Sequence, residues 1–139
     1  MTEGEDAMAL LTVIIAAAAC WFLGAIYYMA LARQWVRASG IPVGPDGRPK
    51  GSIRPAPFIL SALCLIVVAG MMRHVLAMSG ITTLGSGFVS GAGIGLFFIA
   101  PWIAINNAYA LRPTLLTLID GGYAVAGCAL MGAVIGAML

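Results

Sequence analysis

The sequence predicts an all-α membrane protein: four transmembrane helices in an antiparallel bundle, with both termini on the outer, periplasmic side. Three observations carry that prediction. Of 139 residues, 62% are hydrophobic and 9% are charged, whereas soluble domains run about 45–50% apolar and about 25% charged. A soluble domain of this size leaves much of its surface wet and has nowhere to hide so much apolar surface. Four stretches, about 8–31, 57–78, 87–110 and 115–139, meet the requirement of about 20 apolar residues for crossing a hydrocarbon core of about 30 Å. Finally, the lysines and arginines are unevenly shared among the links between those stretches. Backbone polar groups find no water partners in lipid, so each span is expected to be helical. A barrel would need alternating segments of about 10 residues, and the continuous runs Val13–Ala19 and Phe97–Ile105 do not alternate. A net charge of +2, scattered along the chain, argues against nucleic acid as a partner. No polar stretch is long enough to fold as a separate catalytic domain, so the chain reads as one domain, 1–139.

Span one carries no charge between Ala7 and Ala32. Ala30-Leu31-Ala32 fits a small-x-small cleavage pattern, but the leading Glu3, Glu5 and Asp6 are acidic where a signal peptide is basic, so a retained helix is expected. At its inner end Tyr27 and Tyr28 precede Arg33, Trp35 and Arg37. That grouping reads as an interfacial anchor, with rings at the headgroups and cations over an anionic leaflet. The loop 33–56 holds Arg33, Arg37, Arg48, Lys50 and Arg54, and the last link holds Arg112. Positive residues stay cytoplasmic, which sets the orientation. Between Gly40 and Pro57 lie Pro42, Pro45, Pro49, Pro55, Gly44, Gly47 and Gly51, a density that excludes a helix or a regular strand pair, with a turn at Pro45-Asp46-Gly47.

Span two carries Arg73 and His74 near its outer end, where Arg73 can snorkel outward along its stem. Met71, His74 and Met78 share a helix face and would suit Cu(I). One imidazole with loosely spaced thioethers is a weak signal, and no metal or other cofactor is expected. Thr83-Leu84-Gly85-Ser86-Gly87 has the spacing of a potassium filter, yet the short link leaves no room for a pore helix. With links this short, sequential spans are expected to be antiparallel neighbours.

Gly87, Gly91 and Gly95 recur every fourth residue in span three, and Gly132 and Gly136 do so in span four. Small residues at this spacing let helix backbones approach closely. Packing within one bundle is the favoured reading and self-association between copies the alternative. Pro101 removes a helical hydrogen bond midway along span three, so a kink is expected there. Counted at 100° per residue, Asn106 falls on the same face as Gly95, and Asp120 shares a stripe with Ala124 and Gly127. Asp120 and Asn106 should both lie roughly 8–9 Å inside the cytoplasmic boundary. An intramembrane carboxylate is costly and a functional candidate by default. It serves either as a proton or cation site or as a polar lock, closed with Asn106, Asn107 and Arg112 (or Arg33) across the last hairpin. No nucleophile–base pair is visible, and Cys20, Cys64 and Cys128 sit in different spans without a C-x-x-C. Catalytic residues are not expected.

At these residues the chain resembles the bacterial membrane-protein family catalogued as domain of unknown function 1761. The resemblance rests on Gly24, Tyr27-Tyr28 and Arg33-Gln34-Trp35, then on Pro101 with Asn106-Asn107-Ala108. It continues through Arg112-Pro113, Leu118-Ile119-Asp120-Gly121-Gly122-Tyr123 and the closing Met131-Gly132-Ala133-Val134-Ile135-Gly136. It implies a four-helix integral membrane protein and carries no activity with it. Together these readings lead to a non-enzymatic protein of the bacterial inner membrane. It would act through helix–helix contacts in the lipid bilayer, as a homo-oligomer or as an accessory subunit of a larger membrane complex. The alternative is an oligomeric small-solute or ion transporter whose route is lined by Asp120, Asn106 and the Pro101 kink.

Overall fold

A computed structural model describes residues 3–50 and 54–139; Gly51, counted above with the Gly/Pro-rich loop, lies outside them. The described chain is helical throughout apart from its links: α1 (Glu3–Ala30), α2 (Ala32–Ser39), α3 (Ala56–Met78), α4 (Leu84–Ile94), a π-helical stretch (Gly95–Ile99), α5 (Ala100–Tyr109) and α6 (Thr114–Met138). Four helices, with Leu84–Tyr109 counted as one, are long and apolar enough to cross a membrane. Among the described residues there is no strand, only an isolated bridge between Val43 and Pro49. The first helix starts at Glu3 rather than near residue 8, because Glu3, Glu5 and Asp6 fall in its first turn, where negative charge meets unsatisfied N–H groups.

One helix lies where a loop is expected. α2 occupies part of that stretch and ends where Gly40 adopts φ +66°. It is amphipathic: Trp35, Ala38 and Ser39 turn inward while Arg33, Gln34 and Arg37 remain on the outer side. Beyond it, the Gly44 N–H donates to the Arg48 carbonyl (2.8 Å) and the Lys50 N–H to the Pro42 carbonyl (2.9 Å) around the turn at Gly47.

Both hairpin-side helix ends use the same device. At the end of α3, the Ile81 N–H donates to the Leu76 carbonyl and the Gly80 N–H to the Ala77 carbonyl, with Gly80 left-handed. This pair of bonds satisfies carbonyls that the helix leaves orphaned. After α5, the Arg112 N–H reaches the Asn107 carbonyl and the Leu111 N–H the Ala108 carbonyl. Here Leu111 takes the left-handed position at φ +52° without being glycine. The residues of the filter-like pentapeptide start α4 instead: Thr83 caps it, its hydroxyl oxygen accepting from the Ser86 N–H.

Every other helical segment packs against α6. In its most apolar window 50% of residues are buried, against 11% for the span Leu84–Tyr109. One side of α6 forms the side-chain core, where Cys128, Met131 and Ile135 meet Ala16, Ala17 and Cys20 of α1 and Ala69, Met72 and Leu76 of α3. Its other side has almost no side chains. A methyl group at Gly87 would strike the Gly132 carbonyl, one at Gly91 the Cys128 carbonyl, and one at Gly136 the Thr83 carbonyl. At Gly95 it would lie 2.6 Å from the Val125 Cα. The pairing ascends on α4 as it descends on α6, and all five glycines of the two stripes are buried in this one seam. Spans two and three, expected as neighbours, make only slight contact, because α6 takes the glycine face of α4 and leaves α3 to the opposite side.

The π-helical stretch shifts the phase of the helix beyond it. The Ala100 N–H bonds the Gly95 carbonyl, five residues back, so one residue is inserted into the turn. A face that regular α-helix would carry from Gly95 to Asn106 therefore continues at Asn107. Asn106 is exposed and Asn107 half-buried, which corrects the inward placement of Asn106. Pro101 follows this stretch directly, as the second residue of α5, within a helix that runs on from the π-helical turn.

The seam separates two otherwise similar glycines. Gly91→Ala forces a methyl into the Cys128 backbone, whereas Gly93 has nothing within 4 Å of its would-be methyl. Reversible unfolding in mild detergent should show Gly91→Ala destabilised by about 1–3 kcal/mol and Gly93→Ala unchanged within about 0.5 kcal/mol.

Candidate functional site

Asp120 lies in the second turn of α6, about 9 Å along the axis from Thr114. It is half-buried. Its Oδ1 accepts two bonds, from the Tyr28 hydroxyl (2.9 Å) and from the Trp35 indole N–H (3.1 Å). Tyr28 belongs to the last turn of α1 and Trp35 to α2. The chain bends between them at Leu31, whose N–H still bonds the Tyr27 carbonyl while its own carbonyl accepts from the Trp35 N–H. The bend keeps residues seven apart on one face, and the Tyr28 and Trp35 rings meet edge to face at 6.0 Å. A single carboxylate thus ties three helices together through two neutral donors.

Two more tyrosines frame it, in a reciprocal pair. The Tyr27 hydroxyl of α1 donates to the Ile119 carbonyl of α6 (2.9 Å), and the Tyr123 hydroxyl of α6 donates to the Cys20 carbonyl of α1 (3.1 Å). A helical side chain covers the turn before its own Cα, so a carbonyl is reachable from outside only where the residue three or four places on is small. Gly122 follows Ile119 by three and Gly24 follows Cys20 by four. A methyl on either glycine would stand 2.7 Å from the bonding hydroxyl, Tyr27 for Gly122 and Tyr123 for Gly24. Tyr28 and Tyr123 pack edge to face at 5.2 Å.

Asp120, Ala124 and Gly127 line one cavity of about 240 Å³, as their shared stripe predicts. Tyr28 and Cys20 of α1, Leu65 and Val68 of α3, and Ile99 and Ile103 of span three complete its walls, so all four spans reach it. The Asp120 Oδ2 accepts no bond among the described residues, and it is not a sealed buried atom.

The residues expected around Asp120 are elsewhere. Asn107 donates to the Thr117 hydroxyl oxygen (3.1 Å), and Arg112 to the Ser39 carbonyl (3.1 Å). Asn106 faces outward, and neither it nor Pro101 lines the cavity. The polar lock is therefore corrected from an amide and guanidinium closure within the last hairpin to an aromatic closure against α1 and α2. Trp35 is corrected with it: the indole turns into the bundle, while Arg33 and Arg37 face the other way and, with Arg48, line a separate pocket of about 360 Å³ beside the Gly/Pro loop. Sequence reasoning did not assign Tyr28 or Tyr123 to this site, and it named Trp35 for the headgroups instead. The seven-residue spacing of Tyr28 and Trp35, which shares one helical face, was the available signal.

The family described as Protein of unknown function (DUF1761) matches residues 11–136, and the chain belongs to it. No curated protein matches the chain, and no solved structure does.

Removing either donor leaves the carboxylate one bond short. Tyr28→Phe and Trp35→Phe should each destabilise the bundle by about 1.5–3 kcal/mol, the range for a hydrogen bond to a charged group. Double-mutant cycles against Asp120→Ala, read by unfolding in bicelles, should return coupling for both donors. Asn107→Ala and Asp120→Ala should be additive.

Proposed function

We propose that this member of the DUF1761 family is a non-enzymatic, multi-pass protein of the bacterial inner membrane that works through contacts of its spans with other membrane helices, as a homo-oligomer or an accessory subunit. The observation that carries this reading is Asn106. Its amide is exposed on the outer face of span three, one turn before the helix end at Tyr109, and no side-chain hydrogen bond satisfies it among the described residues. An outward amide at the membrane border hydrogen-bonds across to another helix where one is present. The glycine stripes are already consumed inside the bundle, so association between copies falls to this face. Trp102 and Ile105 stand exposed beside it. The cavity beside Asp120 is lined by aromatic and aliphatic side chains and two cysteines, and His74 is exposed on α3.

The spans form an antiparallel bundle in this reading, with both termini outside and the arginine-rich loop and Arg112 in the cytoplasm. The lipid bilayer is the medium and the headgroups contact the pocket of Arg33, Arg37 and Arg48. A second reading, a small-solute or ion transporter, is favoured by the placement of Asp120 on a cavity that all four spans reach.

Native mass spectrometry from mild detergent should give wild type as several copies or as a mixed complex. Asn106→Leu should shift it to the single chain, with Ile105→Leu retaining the wild-type pattern. A wild type that runs only as a single chain under the mildest conditions overturns the proposal. For orientation, Asp46→Cys should react with a membrane-impermeant maleimide only after the cells are opened.

A further inference from the structure

The carboxylate of Asp120 has no positive counterpart among the described residues. Both of its protein partners are neutral donors on Oδ1, and no arginine, lysine or histidine forms an ion pair with it among the described residues. Acidic groups at this depth are ordinarily paired with a cation or mark the place where one binds. Oδ2 is open, on a carboxylate that lines the cavity of about 240 Å³.

The walls decide which cation fits. A hard metal ion needs about six or more oxygen ligands. Besides Asp120, the cavity offers the hydroxyls of Tyr28 and Tyr123, and each already donates its proton, to Asp120 and to the Cys20 carbonyl. No group of three or more histidine, cysteine or acidic side chains able to hold a metal occurs among the described residues. The remaining lining is aliphatic (Leu65, Val68, Ile99, Ile103) with two tyrosine rings. Aromatic faces attract organic cations, more strongly where water is excluded, and aliphatic walls take the apolar body of such a molecule. Size sets the scale: an apolar cavity of about 150 Å³ holds one benzene ring, so this one has room for a ring with a short ammonium-bearing arm. Tyr28, Leu65 and Tyr123 also wall a second cavity of about 240 Å³ that reaches Phe58, exposed on α3. The two cavities share these side chains as walls.

We infer that the cavity beside Asp120 is a binding site for a small lipophilic organic cation, a protonated amine or quaternary ammonium with an apolar body, held by Oδ2 and the Tyr28 and Tyr123 rings. The inference stands independently of the role assigned to Asn106, because the walls of the cavity come from one chain and Asn106 is not among them.

The test compares benzyltrimethylammonium with neopentylbenzene, its uncharged isostere, by equilibrium dialysis against the full chain in a non-ionic maltoside detergent. Saturable binding of the cation, at least about tenfold tighter than the hydrocarbon, is expected, because the difference is one charge-assisted contact of about 1.5 kcal/mol or more. Asp120→Asn should bring the two probes to equal affinity. Val68→Phe, which fills the cavity and leaves the carboxylate bonds in place, should abolish binding of both. Val67→Phe, on the exposed side of α3, should bind like wild type. Equal affinity of wild type for the two probes would mean an apolar crevice that takes acyl chains, and no saturable binding would mean a carboxylate serving only Tyr28 and Trp35. Either result overturns the inference, and neither bears on the oligomeric state read from Asn106→Leu.

Discussion

The bundle depends on how closely α6 lets other backbones approach it. Lipid tails are as apolar as leucine, so burying leucine between helices gains little, and association rests on packing contacts and hydrogen bonds. Both strengthen as helix axes draw together. The seam between α4 and α6 reaches the limit of that strategy, with glycine facing backbone along its whole length and no space for even a methyl at Gly87, Gly91, Gly132 or Gly136. On the opposite side of α6 the requirement is different. There α1 and α3 bring alanine, methionine and leucine side chains, and a conventional interdigitated core forms.

The same economy of side chains creates the polar layer. Gly24 and Gly122 uncover carbonyls on α1 and α6, and the two tyrosine hydroxyls that reach those carbonyls cross the interface in opposite directions. In lipid a hydroxyl has few other places to put its proton, so each bond fixes the depth of one helix against the other. Asp120 then draws in the short helix α2 through Trp35, bringing the element after the first span back onto the bundle. The carboxylate is held by two neutral donors on one oxygen, and its second oxygen accepts no bond among the described residues. That combination distinguishes the site from a purely structural pair, in which both oxygens and both signs of charge would be satisfied within the chain.

Most of the architecture is legible in the sequence because lipid makes one-dimensional demands. Span number and approximate limits emerge from counting apolar residues, and the stripes of glycine reveal their own partner faces because a four-residue repeat of small residues lets a second backbone approach. The inward stripe of Asp120, Ala124 and Gly127 is legible for the same reason, since α6 is regular over its length. Asn106 is misplaced by periodicity alone because Gly95–Ile99 is not regular α-helix, and the inserted residue there shifts every later face by one position. Trp35 is misplaced because arginines on either side of it give the segment the composition of a headgroup anchor, although those arginines point the other way.

Composition and periodicity alone determined that the chain belongs in a bilayer, that it has four apolar helices, and that a carboxylate lies within one of them, since each is a property of a single segment. Which groups answer that carboxylate was decided only by tertiary structure. Tyr28 and Trp35 stand 92 and 85 residues from Asp120. They reach it because a bend at Leu31 and the seating of α1 on α6 bring the three side chains together. Hydrogen-bond partners are chosen by distance in space, and local spacing does not encode the angle at which one helix crosses another.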